Sequence, residues 1–220
     1  MQEGPDRAVP RVSSRSGQSR RHLIEAAMET LRDHGFAGAS ARVIAQRAGV
    51  NQGLVFYHFG SVTNLLLAAL DTVSADRMAR YGDAVARVTS PAGLVDVASS
   101  VFREDLDAGY VSVLVAMIAG ASSTPGLGDE VARRIAPWKG FAQAVIEDAL
   151  EASPLRTVLP AGDLAFAAVA LYLGMELLTH LDGDRAPAEA LFERATSLIA
   201  LLPGSGGGNG PGVQVPAVEP

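Results

Sequence analysis

At 220 residues the chain has room for one generous domain, or for a small and a medium one, each with its own core. Apolar residues at 48% against 19% charged exclude a disordered polyelectrolyte, and the absence of cysteine excludes a disulfide framework or a thiolate metal site. The formal net charge of -6 is spread unevenly: residues 1–60 hold eight arginines and five acids, +3, while residues 61–220 hold ten bases and nineteen acids, -9. Charges further apart than roughly 8 to 10 Å are largely screened, so a local basic surface suffices to meet phosphates; the asymmetry fits an N-terminal nucleic-acid-contacting unit on an acidic body.

The N-terminal arginines lack the apolar core of a signal peptide. No segment is expected to reach the roughly 20 apolar residues that span a bilayer, because the longest run, Leu164 to Met175, is bracketed by Asp163 and Glu176. A cytoplasmic protein without membrane contact is expected. Residues 1–18, rich in Pro, Ser, Gly and Arg, read as a flexible basic arm, and residues 203–220, with Gly-Ser-Gly-Gly-Gly-Asn-Gly-Pro-Gly, as a disordered tail. Between them apolar residues recur at three and four, which predicts an all-α fold of about nine helices, divided into a small domain over 19–62, which the charge asymmetry marks as the DNA-binding one, and a larger domain over 63–202.

In chain order, the first helix is predicted from about Ser19, as N-cap, to His34, with Ile24, Ala27, Met28 and Leu31 on one face and Gly35 as its stop. Ser40 opens a short helix, Ala41 to Ala48, that turns Val43, Ile44 and Ala48 inward and leaves Arg42, Gln46 and Arg47 wet. Gly49 ends it, and Asn51 caps a third helix, Gln52 to His58, with Val55 and Phe59 inward. Gly60 and Ser61 restart the chain into a long helix reaching about Arg80. Further helices follow from Ser90-Pro91 to Ala108, from Gly109 to Ala119, and over about Asp129 to Ala152, Gly162 to Leu181 and Pro187 to Leu202. They are separated by Ser122 to Gly128, Pro154, Pro160 and the Asp182-Gly183-Asp184 turn.

A short helix, a glycine turn and a second short helix give a DNA reader its geometry, since the second helix can lie in the major groove braced by the first. Ala45 and Gly49 are small where the helices cross, Val50 fills the turn, and Gly53 leaves backbone bare. Arg42 and Gln52 can reach base edges; Ser40, Asn51, Tyr57 and His58 can donate to phosphate oxygens. On spacing alone, a small helical bundle with a solvated polar face fits as well.

The stretch from Gly35 to Phe59, GFAGASARVIAQRAGVNQGLVFYHF, closely resembles the signature of the tetracycline-repressor (TetR) family, over residues 20 to about 70. The remainder resembles the family in helix count and order. The resemblance implies that Arg42 contacts a base and backbone, that Gln52 and Leu54 face base edges, and that Tyr57 and His58 hold phosphates. Gly53 and Phe56 fall on the same helix. Three positions depart from the family pattern: Leu54 where Thr is usual, Phe56 where Tyr is usual, and Val62 where a phosphate-binding Lys commonly stands. Leu54 can instead pack on a thymine methyl. Arg7, Arg11, Arg15, Arg20 and Arg21 can supply cations from a flexible arm, or form a merely solvated tail.

The segment Gly162 to Leu181 is apolar nearly all round, which implies a partner surface, with an ordinary buried helix as the alternative. In the family the last two long helices pair with those of a second subunit; Ala168, Tyr172, Gly174, Phe192, Ala195 and Ile199 are the expected homodimer contacts. Phe102, Leu106, Met117, Trp138, Phe141 and Met175 lie on helices that enclose the effector cavity in proteins of this kind, and a small, largely apolar effector is expected, with plain core packing as the alternative for each. The four histidines show no metal-binding pairing and no strand feeds a phosphate loop, so no cofactor, metal site or catalysis is expected. His180, Asp182 and Asp184 are explained by a helix end and an Asp-Gly turn. The expected function is a ligand-responsive repressor on palindromic operator DNA; the alternatives are a helical protein-interaction scaffold and, behind it, a helical enzyme.

Overall fold

The computed structural model describes residues 12–151 and 158–201. Among the described residues the chain forms nine helices and no strand: α1 (Val12–Gly38), α2 (Ala41–Arg47), α3 (Gly53–Phe59), α4 (Val62–Val85), α5 (Pro91–Ala108), α6 (Tyr110–Ala121), α7 (Leu127–Ala149), α8 (Ala161–Asp182) and α9 (Ala186–Ala200). Two units result, and the division falls inside α4, between Leu70 and Asp71. The tail 203–220, Leu202, Pro154, Arg7 and Arg11 lie outside the described residues.

In the first unit α1 packs on α2 and α3, and α2 on α3. Leu23, Ala27 and Leu31 of α1, Ile44 and Ala45 of α2, Val55 of α3 and Leu65, Leu66 and Ala69 of α4 are buried. Leu23, Ala27 and Leu31 repeat at four residues, and Leu65 and Leu66 stand four and three before Ala69, the spacing that puts one stripe of a helix into a core. The helix begins at Val12, not at Ser19, so residues 12–18 are helical where a flexible arm was expected and Ser19 is interior to the helix. Ser and Gln cost under about 1 kcal/mol each inside a helix, and no proline stands between Val12 and Gly35, so an established helix can extend through them. Gly35 (φ 65) breaks the winding as expected, and the residues after it make a separate last turn. A Cβ at Gly38 would lie 2.6 Å from His34 Cβ, which restricts that turn to glycine.

Ser40 accepts from the Val43 N–H at 3.3 Å and caps α2. The turn to α3 is made by Gly49 at φ +67, where Val50 N–H donates to Ala45 O at 3.0 Å. Asn51 Oδ1 accepts from the Gly53 N–H at 2.7 Å, tying down the start of α3. Ser61 Oγ accepts from the Asn64 N–H at 3.0 Å, and the Asn64 amide donates back to Phe59 O at 2.9 Å, fixing the corner between α3 and α4.

In the second unit α7 lies along α8, α9 along α5, and α6 against α7 and α8. Ser90 caps α5 through Gly93 N–H at 3.2 Å with Pro91 behind it, and Gly109 (φ 68) joins α5 to α6. The Asp182-Gly183-Asp184 turn is built as its sequence requires. Gly183 takes φ 75, Asp182 Oδ1 accepts from Asp184 N–H at 2.9 Å, and Asp184 Oδ1 from Ala186 N–H at 3.0 Å.

Helix α8 corrects two expectations. With 22 residues and a mean hydropathy of 1.7 it is, by length and composition alone, long and apolar enough to cross a membrane, because Glu176 lies inside the helix and does not terminate it. Its burial is also inverted: Glu176 and Thr179 are buried, while Phe166, Leu171, Leu178 and Leu181 are exposed.

Gly49→Ala has nothing within 4 Å to clash with, so its effect is purely conformational. A non-glycine residue in the left-handed region costs about 1–2 kcal/mol, so thermal denaturation should show a lowered midpoint; an unchanged midpoint would contradict the turn geometry.

Candidate nucleic-acid interface and buried polar centre

The α2–α3 pair presents one polar edge to solvent. Ser40 and Arg42 at the start of α2, Asn51 and Gln52 in the turn, and Gly53, Phe56 and Tyr57 on α3 are all exposed, Tyr57 by 77%. Leu54 is half-buried. Ser40 and Asn51 each spend an acceptor on a backbone N–H, which leaves the Ser40 hydroxyl proton and the Asn51 amide protons free to donate outward. Capping and donation are therefore compatible in both residues.

His58 is less open than Tyr57 beside it. Its ring is half-buried between Tyr57 (centroids 5.0 Å apart) and Phe59 (6.2 Å), and Nε2 is buried without a partner, so only Nδ1 can donate outward. Arg47, read as a wet side chain, binds Asp33 at 2.6 Å and approaches Glu29 at 3.5 Å, clamping α2 to α1. Its hydrogen bond to Asp33 holds that carboxyl below the usual range. Arg20 lies over the Phe59 ring at 5.2 Å, which sets one arginine of the N-terminal segment against the end of α3. Val62 puts no cation at the start of α4.

The second unit holds an ion cluster that the sequence reading missed. Arg77 and Tyr81 of α4, Asp105 of α5 and Tyr172 and Glu176 of α8 converge, with Asp105 and Glu176 each 1% exposed. Arg77 Nη2 binds Asp105 Oδ2 and lies 3.5 Å from Glu176 Oε1. Tyr81 donates to the Tyr172 hydroxyl, which donates to Asp105 Oδ2 at 3.0 Å. The Arg77 guanidinium sits 5.1 Å over the Trp138 ring, and Trp138 Nε1 donates to Ser74 Oγ at 2.8 Å. Phe141 packs edge-on against Tyr81 and Trp138. Burial raises both tyrosine hydroxyls above their ordinary range, and burial, reinforced by Asp105, pushes the Glu176 carboxyl up to about 8 against the pull of Arg77. Periodicity gave no warning, because charged residues fall outside the apolar pattern and Glu176 served only as the bracket of an apolar run; the available signal was one acid four residues after Tyr172, with Arg77 and Tyr81 likewise four apart.

The six expected effector contacts separate. Trp138 and Phe141 join the polar centre. Phe102 is fully buried in a core cluster with Ala188 and Phe192, against which Leu106, Met175 and Tyr172 pack, and Met117 is fully buried. Among the expected dimer contacts, Ala168 is exposed and Gly174, Ala195 and Ile199 are half-buried. Tyr172 and Phe192 face inward, Tyr172 drawn by Asp105 and Phe192 by the Phe102 ring at 5.4 Å. The exposed apolar side chains of α8 and α9 are Phe166, Leu171, Leu177, Leu178, Leu181, Leu191 and Leu198. His180, Asp182 and Asp184 form no metal-binding group among the described residues; His180 Nδ1 lies 3.5 Å from Ser112 Oγ.

A carboxyl raised from 4.5 to about 8 on folding contributes stability that is fully present below pH 4.5 and is lost as pH climbs through 8. The thermal midpoint should therefore decline between pH 5 and pH 8, and Glu176→Gln, which cannot ionise, should flatten that decline. Parallel curves for the two proteins would show that Glu176 does not titrate in this window.

Residues 23–69 match the family model for bacterial regulatory proteins of the tetR family. The "HTH-type transcriptional regulator BetI 1" of Chromohalobacter salexigens is 44% identical over 68 residues, 31% of this chain and 32% of that protein. The "HTH-type transcriptional repressor AcnR" of Corynebacterium glutamicum is 34% identical over 95 residues, 43% and 46% of the two chains. The matched stretch thus spans a third to a half of these curated relatives. In fold, a TetR-family regulator from Cytophaga hutchinsonii superimposes with a TM-score of 0.71 at 22% identity, covering 84% of this chain and 95% of that one. A transcriptional regulator from Saccharomonospora viridis, solved in complex with choline, gives 0.65 at 18% identity over 82% and 94%. Residues 23–69 thus carry the helix-turn-helix signature of the tetR family of bacterial regulatory proteins, and the described helices follow the fold of these solved regulators.

Proposed function

We propose that this protein is a transcriptional repressor that binds palindromic operator DNA as a homodimer and is released by a small molecule taken up in the second unit. The observation that carries the reading is the exposure of Arg42, Gln52, Phe56 and Tyr57 on the α2–α3 pair, together with the bare backbone of Gly53. Arg and Gln can read base edges bidentately, Tyr57 and the spare protons of Ser40 and Asn51 can hold phosphates, and Phe56 with the exposed part of Leu54 offers apolar surface to a thymine methyl. Arg20 and Arg21, both exposed, add cations where Val62 supplies none.

Two copies would set their α3 helices about one DNA turn apart, roughly 34 to 36 Å. The inverted helix α8 supports the pairing: its outward face is Phe166, Leu171, Leu178 and Leu181, with Leu198 on α9, a surface that water would otherwise cover. Small Ala168 and Gly174 allow close approach. The effector reading draws support from the choline held by the neighbour of the same fold. Helix α4 gives it a physical route, since its first turns carry Leu65 and Leu66 of the first unit's core and its later turns carry Arg77 and Tyr81. An effector shifts DNA affinity only by its differential affinity for the two states, so it must favour the form that does not fit the operator.

A gel shift with the DNA flanking the protein's own gene, repeated across salt, tests the reading. A retarded complex that weakens as salt rises is expected, and no complex with any flanking duplex at low salt would overturn it. Arg42→Ala should weaken operator binding by about 1–3 kcal/mol with the dimer intact; wild-type affinity in the titration would remove Arg42 from the interface. In sedimentation equilibrium, Leu178→Glu should convert a dimer to a monomer, and a wild-type monomer at micromolar concentration would end the α8–α9 pairing.

A further inference from the structure

The polar centre of the second unit is unbalanced in a way that specifies what it lacks. Three of its buried acceptor atoms, Asp105 Oδ1 and both oxygens of Glu176, have no hydrogen-bond partner, against one unpartnered donor, Arg77 Nε. With both acids ionised its charges are one positive, Arg77, and two negative, Asp105 and Glu176, so a proton on Glu176 or an incoming cation is needed to balance it. Buried polar groups are rarely left unpaired, and a carboxylate without donors or a countercharge is costly in a low-dielectric interior. What fits such a place brings N–H donors and positive charge.

An anion would add to the excess of negative charge. A quaternary ammonium would bring charge without N–H, leaving the three acceptors as they are, and the aromatic face best suited to receive it is already covered by the Arg77 guanidinium, 5.1 Å over Trp138. A primary ammonium offers three donors and one charge. Resting on the reading of the second unit as the sensor, we propose that Asp105 and Glu176 form the recognition point for an effector that carries a protonated primary amine. The groups facing the pair are Arg77 and Tyr81 from α4 and Tyr172 from α8, and Trp138 and Phe141 of α7 supply the apolar wall beside them.

The exchange balances. With the Glu176 carboxyl raised to about 8, it carries a proton at pH 7; the arriving ammonium takes over as its hydrogen-bonded countercharge, and the displaced proton passes to the buffer. Amine binding at pH 7 is therefore coupled to release of about one proton.

Isothermal titration of the full chain at pH 7, in two buffers of different ionisation enthalpy, tests this with benzylammonium, n-hexylammonium, choline and benzoate as probes. At least one of the two primary amines should bind with proton release, and choline and benzoate should bind roughly tenfold or more weakly, the scale of a lost charge-assisted hydrogen bond. Glu176→Gln should lose the amine preference while its far-UV circular dichroism stays that of the wild type. Failure of both amines to bind, equal affinity for choline, binding without proton release, or wild-type binding by a folded Glu176→Gln would each overturn the proposal. Should that variant not fold, the amine-to-choline ratio and the proton release of the wild type decide alone. The probes are titrated without DNA, so amine binding by a protein that shifts no operator would support this site and sink the repressor reading, and the reverse result would do the opposite.

Discussion

Arg77 is buried between two carboxylates on two other helices, and the second unit is organised around that placement. Taking an arginine and two acids out of water is costly, and their mutual attraction offsets the cost only where hydrogen bonds complete the set. Here they do so in part: Asp105 Oδ2 receives Arg77 and Tyr172, while its other oxygen and both of Glu176 receive nothing. Four helices are nonetheless held in register by these contacts, α4 and α5 through Arg77 and Asp105, α8 through Tyr172 and Glu176, and α7 through Trp138 under the guanidinium and on Ser74. A well-packed apolar core would hold the same helices as firmly, so the cluster is weak evidence for stability and stronger evidence for a site.

The same placement explains the inversion of α8. A helix has one inward stripe, and here Ala165, Tyr172, Glu176 and Thr179 take up much of it. Its leucines and Phe166 are then left on the outer faces, where a lone subunit would present them to water. Polar residues at the inward positions and apolar ones outside are the arrangement of a helix between two partners, one within the subunit and one beyond it. The buried ions and the proposed dimer surface are therefore two sides of one residue pattern, and each constrains substitution at the other.

How far this was legible in the sequence follows from which physical signal each feature leaves. The helices, their caps at Ser40 and Ser90, and the glycine breaks at Gly35, Gly49, Gly109 and Gly183 were legible, because capping and left-handed φ restrict residue type at single positions. The exposed edge of the helix pair was legible because a polar face on a short amphipathic helix has few other places to go. The partnering of Arg47 with Asp33 and the half-burial of His58 were not, since both are set by which side chain of another helix arrives there. The ion cluster beside Trp138 and Phe141 escaped notice for a related reason. Periodicity sorts residues into inside and outside by hydropathy, and buried charges that pair across α4, α5 and α8, separated by 28 residues and more, violate that sorting without leaving a local mark. The inward placement of Tyr172 and Phe192 was hidden in the same way, since an all-round apolar helix does not say which of its faces lies inside the subunit.

Helix α4 is where these strands of structure meet. It runs from Val62 to Val85, across the division between the two units. Leu65, Leu66 and Ala69 are fixed in the first unit's core, and the Asn64 amide ties the helix start to Phe59 at the end of α3. Eight residues on from Ala69, Arg77 is held by a carboxylate whose own partners are incomplete. A change in what satisfies Asp105 and Glu176 acts on Arg77 directly, and Arg77 has no slack: its guanidinium is confined by Asp105, Glu176 and the Trp138 face at once.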